Sequence, residues 1–88
     1  MTTWDESRRR YNLAKHGVDL ALAERFDFDS AVIEEDRSEI YGERREIAIG
    51  WIDDGLYVYV YTLRGDEDHA ISLRKAEKKE WRIYGKKS

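Results

Sequence analysis

Lys15-His16-Gly17 sets a cation beside an imidazole and ahead of a glycine, the residue that most often ends a helix. Histidine titrates near neutrality, so His16 can give or take a proton, and Lys15 can hold a phosphate. The same pair also suits plain capping, because the helix dipole favours positive charge at a C-terminus. Two arginines form a second group. Arg64 follows the run Leu56 to Leu63, and Arg74 closes the next apolar stretch. A guanidinium offers a planar fork of donors matched to phosphate oxygens. On adjacent antiparallel strands the two side chains can meet in one patch if the register brings them together; ordinary salt bridges are the competing explanation. His69, at a turn or strand edge, reads as a surface or packing residue. Glu43, Arg44 and Arg45 read as charges that keep a strand edge soluble. Tyr57, Tyr59 and Tyr61 could stack on bases, but amphipathic packing with hydroxyls reaching water is the plainer account. Two histidines alone imply no metal.

Composition narrows the chemistry further. With 88 residues, 41% apolar and 40% charged, the chain supports one hydrophobic core and hence one small domain. Its eleven aromatic residues are too many for a disordered chain. The absence of cysteine excludes disulfides, thiolate catalysis and zinc sites that use sulfur. The opening Met1-Thr2-Thr3-Trp4-Asp5 lacks a basic-then-apolar profile, and no apolar run approaches the roughly 18 residues of a membrane span. A cytoplasmic protein without a membrane partner is expected. Net charge is −3, which repels nucleic acid in bulk, but the distribution is bipolar. Residues 24–43 hold eight acids against two bases, whereas residues 69–88 hold seven bases against two acids. A bipolar surface is therefore expected, with its positive side in the basic final third.

The elements that must position these groups follow from period and punctuation. Thr3-Trp4-Asp5-Glu6 has capping-box spacing, with Asp5 a second possible N-cap, and predicts a helix to about Lys15 with Tyr11, Ala14 and Leu13 inward. Asp19 predicts the cap of a second short helix through Leu20, Leu22, Ala23 and Phe26. Strand patterns follow at Ala31 to Glu34, around Ile47, Ile49 and Trp51, and at Leu56 to Leu63. Between the last two, Asp53-Asp54-Gly55 predicts a tight hairpin, since Asp-Gly tolerates positive φ. A further strand, Ala70 to Arg74, places Ile71 and Leu73 on one side. Lys75 to Tyr84 reads as a final helix in which Ala76, Glu80 and Tyr84 share a face, leaving Gly85-Lys86-Lys87-Ser88 as a tail. The class is α+β: two N-terminal helices, a three- to four-stranded antiparallel sheet and a C-terminal helix.

Taken in order, these motifs resemble one known family. Trp4-Asp5, Asn12, Lys15-His16-Gly17-Val18, Ala21, Phe26, Glu43-Arg44, Gly50, Val60-Tyr61-Thr62-x-Arg64, Ile71-Ser72-x-Arg74-Lys75-Ala76 and Glu80-x-x-x-Tyr84 resemble the BrnT toxins of type II toxin-antitoxin pairs. The resemblance spans Trp4 to Tyr84. It implies a RelE-like compact fold and a metal-independent endoribonuclease that inhibits translation without a cofactor. It also implies neutralisation by a BrnA-type ribbon-helix-helix antitoxin, through which alone operator DNA is reached. Matching motifs nominate Lys15, His16, Glu43, Arg64, Arg74 and Tyr84 as catalytic. In such a site Arg64 and Arg74 would stabilise phosphate charge, while His16 or Glu43 would handle protons. Many relatives carry arginine before the Ile-Ser pair where this chain has His69-Ala70, exchanging a fixed cation for a pH-dependent one. A catalytically weak protein acting as antitoxin-binding co-repressor or scaffold is the alternative reading.

Overall fold

The computed structural model describes residues 1–36 and 44–88. Its organising feature is the hairpin at Asp53-Asp54, which joins β3 (Arg45–Ile52) to β4 (Gly55–Arg64) with Ile52 opposite Gly55. The left-handed angle is taken by Asp53 (φ 54°) rather than by glycine, because Gly55 is already the first residue of β4. A two-residue turn leaves no slack in pairing, so the register is set as far as Arg45 opposite Thr62.

β5 (Glu67–Lys75) pairs with β4, and β2 (Val32–Asp36) pairs with β3, both antiparallel. The first residues add an unforeseen strand, β1 (Thr2–Thr3), parallel to β5, and the sheet order is β1-β5-β4-β3-β2. The sheet is thus mixed and five-stranded, not three- to four-stranded and antiparallel. Side chains explain the addition. Thr2 Oγ1 donates to Asp68 Oδ2 at 2.8 Å, and Thr3 Oγ1 shares a 2.7 Å hydrogen bond with His69 Nδ1. Thr3 is therefore spent on the sheet and forms no capping box with Glu6. Helix α1 (Glu6–His16) starts instead after Asp5, whose carboxylate makes no cap bond. It ends as expected, with Gly17 at φ 68° donating to the Leu13 carbonyl at 2.9 Å.

The expected second helix is a 3-10 segment, Leu20–Arg25. Three residues per turn stack positions i and i+3, and this spacing buries Leu20, Ala23 and Phe26 together. Asp19 caps it, accepting from the Ala21 N–H at 3.0 Å, and also takes Arg9 through two hydrogen bonds of 2.8 and 3.0 Å. Those contacts, the Arg9 bond foremost, hold the Asp19 carboxyl down from 3.8 to about 2. A depressed folded pKa adds stability that is complete above the unfolded value and is lost as pH falls through the folded one. Melting temperatures of the wild type and Asp19→Asn should therefore differ most above pH 4 and converge as pH falls to about 2. A gap that persisted at pH 2 would show that the charge is not what Asp19 contributes.

The two sheet faces are covered differently. One carries Tyr59, Tyr61, Ala48, Ile52, Ala70 and Leu73, packed on Val18, Leu20, Ala23 and Phe26. Here the tyrosine hydroxyls do not reach water: Tyr59 donates to Asp68 Oδ2 at 2.6 Å and Tyr61 to Glu46 Oε2 at 3.0 Å. Burial and these carboxylates raise both phenol pKa values. Gly50 lies beneath Phe26, and a Cβ there would stand 2.7 Å from the ring, so the core requires glycine at this position. On the other face, Ile49, Leu56 and Val58 pack against Trp51, Ala76 and Tyr84. Helix α2 (Lys78–Lys87) begins at a capping box formed by Glu77 and Glu80, later than expected because β5 continues to Lys75. It absorbs most of the expected tail. No helix among the described residues is long and apolar enough to cross a membrane.

Helix α1 is attached through Asn12, which is buried where Tyr11 and Leu13 were expected to point inward; those two are 65% and 52% exposed. The Asn12 amide donates to the Leu73 carbonyl (2.8 Å) and the Val18 carbonyl (2.9 Å), and its oxygen accepts from the Leu73 N–H (3.0 Å). One side chain thus continues the β5 edge beyond the point where β1 ends, satisfying backbone groups that burial would otherwise orphan.

Candidate active site

A bulge in β5 shapes the site. Val60 pairs with Ser72 and Tyr61 with Ala70, leaving Ile71 without a partner position. An extra residue reverses the alternation of side chains beyond it. Leu73 and Ala70 both lie in the tyrosine core, whereas Ile71 turns to the opposite face with Ser72. Ile71 and Leu73 therefore do not share a side. The reversal also moves His69 out of the core face, placing it opposite Thr62.

Pairing then aligns one transverse row across all five strands: Asp36, Arg45, Thr62, His69 and Thr3. The row crosses a groove bounded on one side by α1. One end is lined by Asp5, Arg8, Arg45, Thr62, Arg64, His69 and Ile71. The groove continues past Val60 and Ser72 to Ser7, Tyr11, Lys15 and His16, with Arg8, Arg45 and Ile71 common to both parts. Four fixed cations (Arg8, Lys15, Arg45 and Arg64) face it against two carboxylates, Asp5 and Asp36. Asp36 pairs with Arg45 at 3.3 Å, and Asp5 lies 3.8 Å from Arg8. The positive lining comes from α1, β3 and β4, not from the basic final third, whose lysines lie on and around α2.

The nominated residues separate into groups. Lys15 and His16 sit together at the α1 end, with the Lys15 ammonium 5.6 Å over the Tyr11 ring. Burial, then the charges of Lys15 and Arg74, push the His16 imidazole below its ordinary 6.5. It is neutral at pH 7 and able to accept a proton. Arg64 lines the other end of the same groove.

Arg74 does not join Arg64. It lies opposite Val58, six residues before Arg64 on β4, or roughly 20 Å along the strand at about 3.3 Å per residue. Its guanidinium pairs with Glu80 at 2.9 Å, the leading cause of the depressed Glu80 pKa. Tyr84 is also engaged elsewhere, accepting from Trp51 Nε1 and donating to the Ser30 carbonyl, each at 3.0 Å. Glu43 lies outside the described residues. Sequence reasoning undervalued Arg45 and His69 and passed over Arg8. The hairpin register could have found Arg45, because a two-residue loop at Asp53-Asp54 puts it beside Thr62. Nothing in the local pattern signals the bulge that delivers His69.

A family model described as the ribonuclease toxin BrnT of type II toxin-antitoxin systems matches residues 4–80. The chain belongs to the BrnT family. Its fold agrees with the crystal structure of the Brucella abortus ribonuclease toxin BrnT: 30% sequence identity, a TM-score of 0.70, and coverage of 89% of this chain and 99% of that one. No curated protein matches. The BrnT match takes in α1, strands β2 to β5 and the first three residues of α2, and so includes every described residue that lines the groove.

Proposed function

We propose that this BrnT chain is a single-domain, RelE-like endoribonuclease that inhibits translation by cleaving RNA in the groove between α1 and the sheet. The cut needs no metal: the 2′-hydroxyl loses its proton and attacks the adjacent phosphorus, the bond to the 5′-oxygen breaks, that oxygen takes a proton from water, and a cyclic phosphate and a free 5′-hydroxyl result. Arg64, joined by Arg45, offsets charge on the phosphoryl oxygens, the largest single lever available to such a site. Lys15 holds the neighbouring backbone, and neutral His16 or Glu43 takes the proton of the attacking hydroxyl. Arg74 and Tyr84 contribute by position. Arg74 biases His16 toward neutrality and anchors α2; Tyr84 fastens that helix to Trp51 and Ser30.

The observation that carries this reading is the excess of fixed cations lining one groove of a protein whose net charge is −3. A BrnA-type ribbon-helix-helix antitoxin neutralises the toxin and brings it to operator DNA, which the toxin does not itself bind. Purified protein should cleave RNA in the presence of EDTA, and its expression should arrest growth unless the antitoxin is co-expressed. Antitoxin binding with neither cleavage nor arrest would select the second reading, a catalytically weak co-repressor or scaffold. That reading is favoured by one observation: Arg74 is paired with Glu80 rather than turned toward Arg64.

A further inference from the structure

Among the described residues, two buried side-chain polar atoms have no hydrogen-bond partner, Thr62 Oγ1 and His69 Nε2. They belong to directly opposed residues of β4 and β5, and both residues line the same end of the groove. Thr62 is 3% exposed and His69 7%. An orphaned buried donor is costly, and natural proteins retain such strain chiefly where function uses it.

Their surroundings define what would satisfy them. The His69 ring is held by the 2.7 Å hydrogen bond between Nδ1 and Thr3 Oγ1, which leaves Nε2 directed at the groove. Charged groups face it from every neighbouring element: Asp5 ahead of α1, Arg8 on α1, Arg45 on β3 and Arg64 on β4. The Asp5 carboxylate stands 3.7 Å from Nε2, outside hydrogen-bond reach, and Asp5, Arg8 and Arg64 are exposed residues at the mouth. With the Thr3 hydroxyl donating to Nδ1, the ring proton sits on Nε2, and a hydroxyl and an imidazole N–H ringed by guanidinium groups are donors matched to an oxyanion.

We propose that Thr62 Oγ1 and His69 Nε2 are paired donors to a phosphoryl oxygen of the bound RNA backbone. The assignment deepens the ribonuclease reading by naming the atoms at the floor of the phosphate site, and it rests on that reading only for the identity of the ligand. His69 is a substrate-contacting residue, with Thr3 its positioning residue.

The test uses the full chain and a fully 2′-O-methylated RNA oligonucleotide, which supplies phosphodiesters but cannot be cleaved by 2′ attack. Thr62→Val keeps the side-chain shape and deletes the orphaned hydroxyl. It should raise the melting temperature by roughly 5 °C, as removal of an unsatisfied buried group does in a domain of this size. It should also weaken oligonucleotide binding roughly tenfold, the loss of one hydrogen bond to a charged acceptor. His69→Ala should weaken binding at least as much, and His69→Gln, which keeps a donor near the Nε2 position, should restore most of it.

Wild-type protein that fails to bind, binding indifferent to Thr62→Val and His69→Ala, or a Thr62→Val protein that melts lower would each overturn the assignment. Cleavage of unmodified RNA is read separately. Binding that depends on Thr62 without any cleavage keeps the phosphate site and removes the ribonuclease; cleavage with indifferent binding does the reverse.

Discussion

Arg64→Ala is expected to lower RNA cleavage at least 100-fold while leaving the melting temperature within a few degrees of wild type. Removing one group that stabilises developing charge costs about 10²–10³ in rate. An exposed side chain contributes little to stability, typically within about 0.5 kcal/mol. Arg74→Ala should behave differently. It strands Glu80, 5% exposed, without its closest cation and loosens the start of α2. Breaking a buried pair from one side costs about 3–5 kcal/mol, and the partial exposure of Arg74 reduces that to about 2. Its loss of cleavage should therefore track loss of fold. The double variant Arg74→Met/Glu80→Leu removes both charges and should recover most of the melting temperature, short of what the Glu80 half of the capping box contributes. If it stays inactive, Arg74 acts on the reaction directly; if cleavage returns with stability, its role is positional. An active Arg64→Ala protein would end the case for Arg64 as the phosphate cation.

The largest stability effect is expected at Asn12. Asn12→Leu leaves the Leu73 N–H and the carbonyls of Leu73 and Val18 buried with no partner. At about 1–3 kcal/mol for each orphaned group, the loss totals roughly 3–5 kcal/mol after local relaxation. Chains of this length have only about 4–13 kcal/mol to lose, taking 0.05–0.15 kcal/mol per residue. Chemical denaturation should therefore show a much lower midpoint or no cooperative transition at all. Asn12→Asp retains the acceptor but sets a carboxylate against two carbonyls, and should be nearly as damaging. A midpoint within about 1 kcal/mol of wild type would mean that α1 is held by something other than this edge pairing. Because α1 carries Arg8, Lys15 and His16, detaching it removes one wall of the groove, so cleavage should fall with stability.

Much of this architecture was legible in local pattern. The Gly17 helix stop, the Asp53-Asp54 hairpin, the alternation of Leu56, Val58 and Val60 against three tyrosines, and the cap at Asp19 depend on a few adjacent residues and their own backbone preferences. The site was legible only in pieces. Lys15, His16 and Arg64 line one groove, whereas Arg74, paired in the sequence reading with Arg64, serves α2 together with Tyr84. Tyr11 and Leu13 were misplaced because apolar character was taken as a guide to burial. The α1 contact is instead made by an amide, the one side chain able to continue a β-ladder at the edge of β5.

Local pattern therefore settled the existence of β2 to β5, the main turn and the supply of cations, since steric and hydrogen-bonding preferences act within a few residues. The long-range pairings lay beyond that reach. β1 joins β5 across 66 positions, Asn12 reaches Leu73 across 61, and one unpaired residue, Ile71, turns His69 from the core toward the groove. Each arises from backbone groups that must find partners once the sheet has closed. That demand exists only in the assembled fold, and it places Arg45, Thr62 and His69 side by side across the groove.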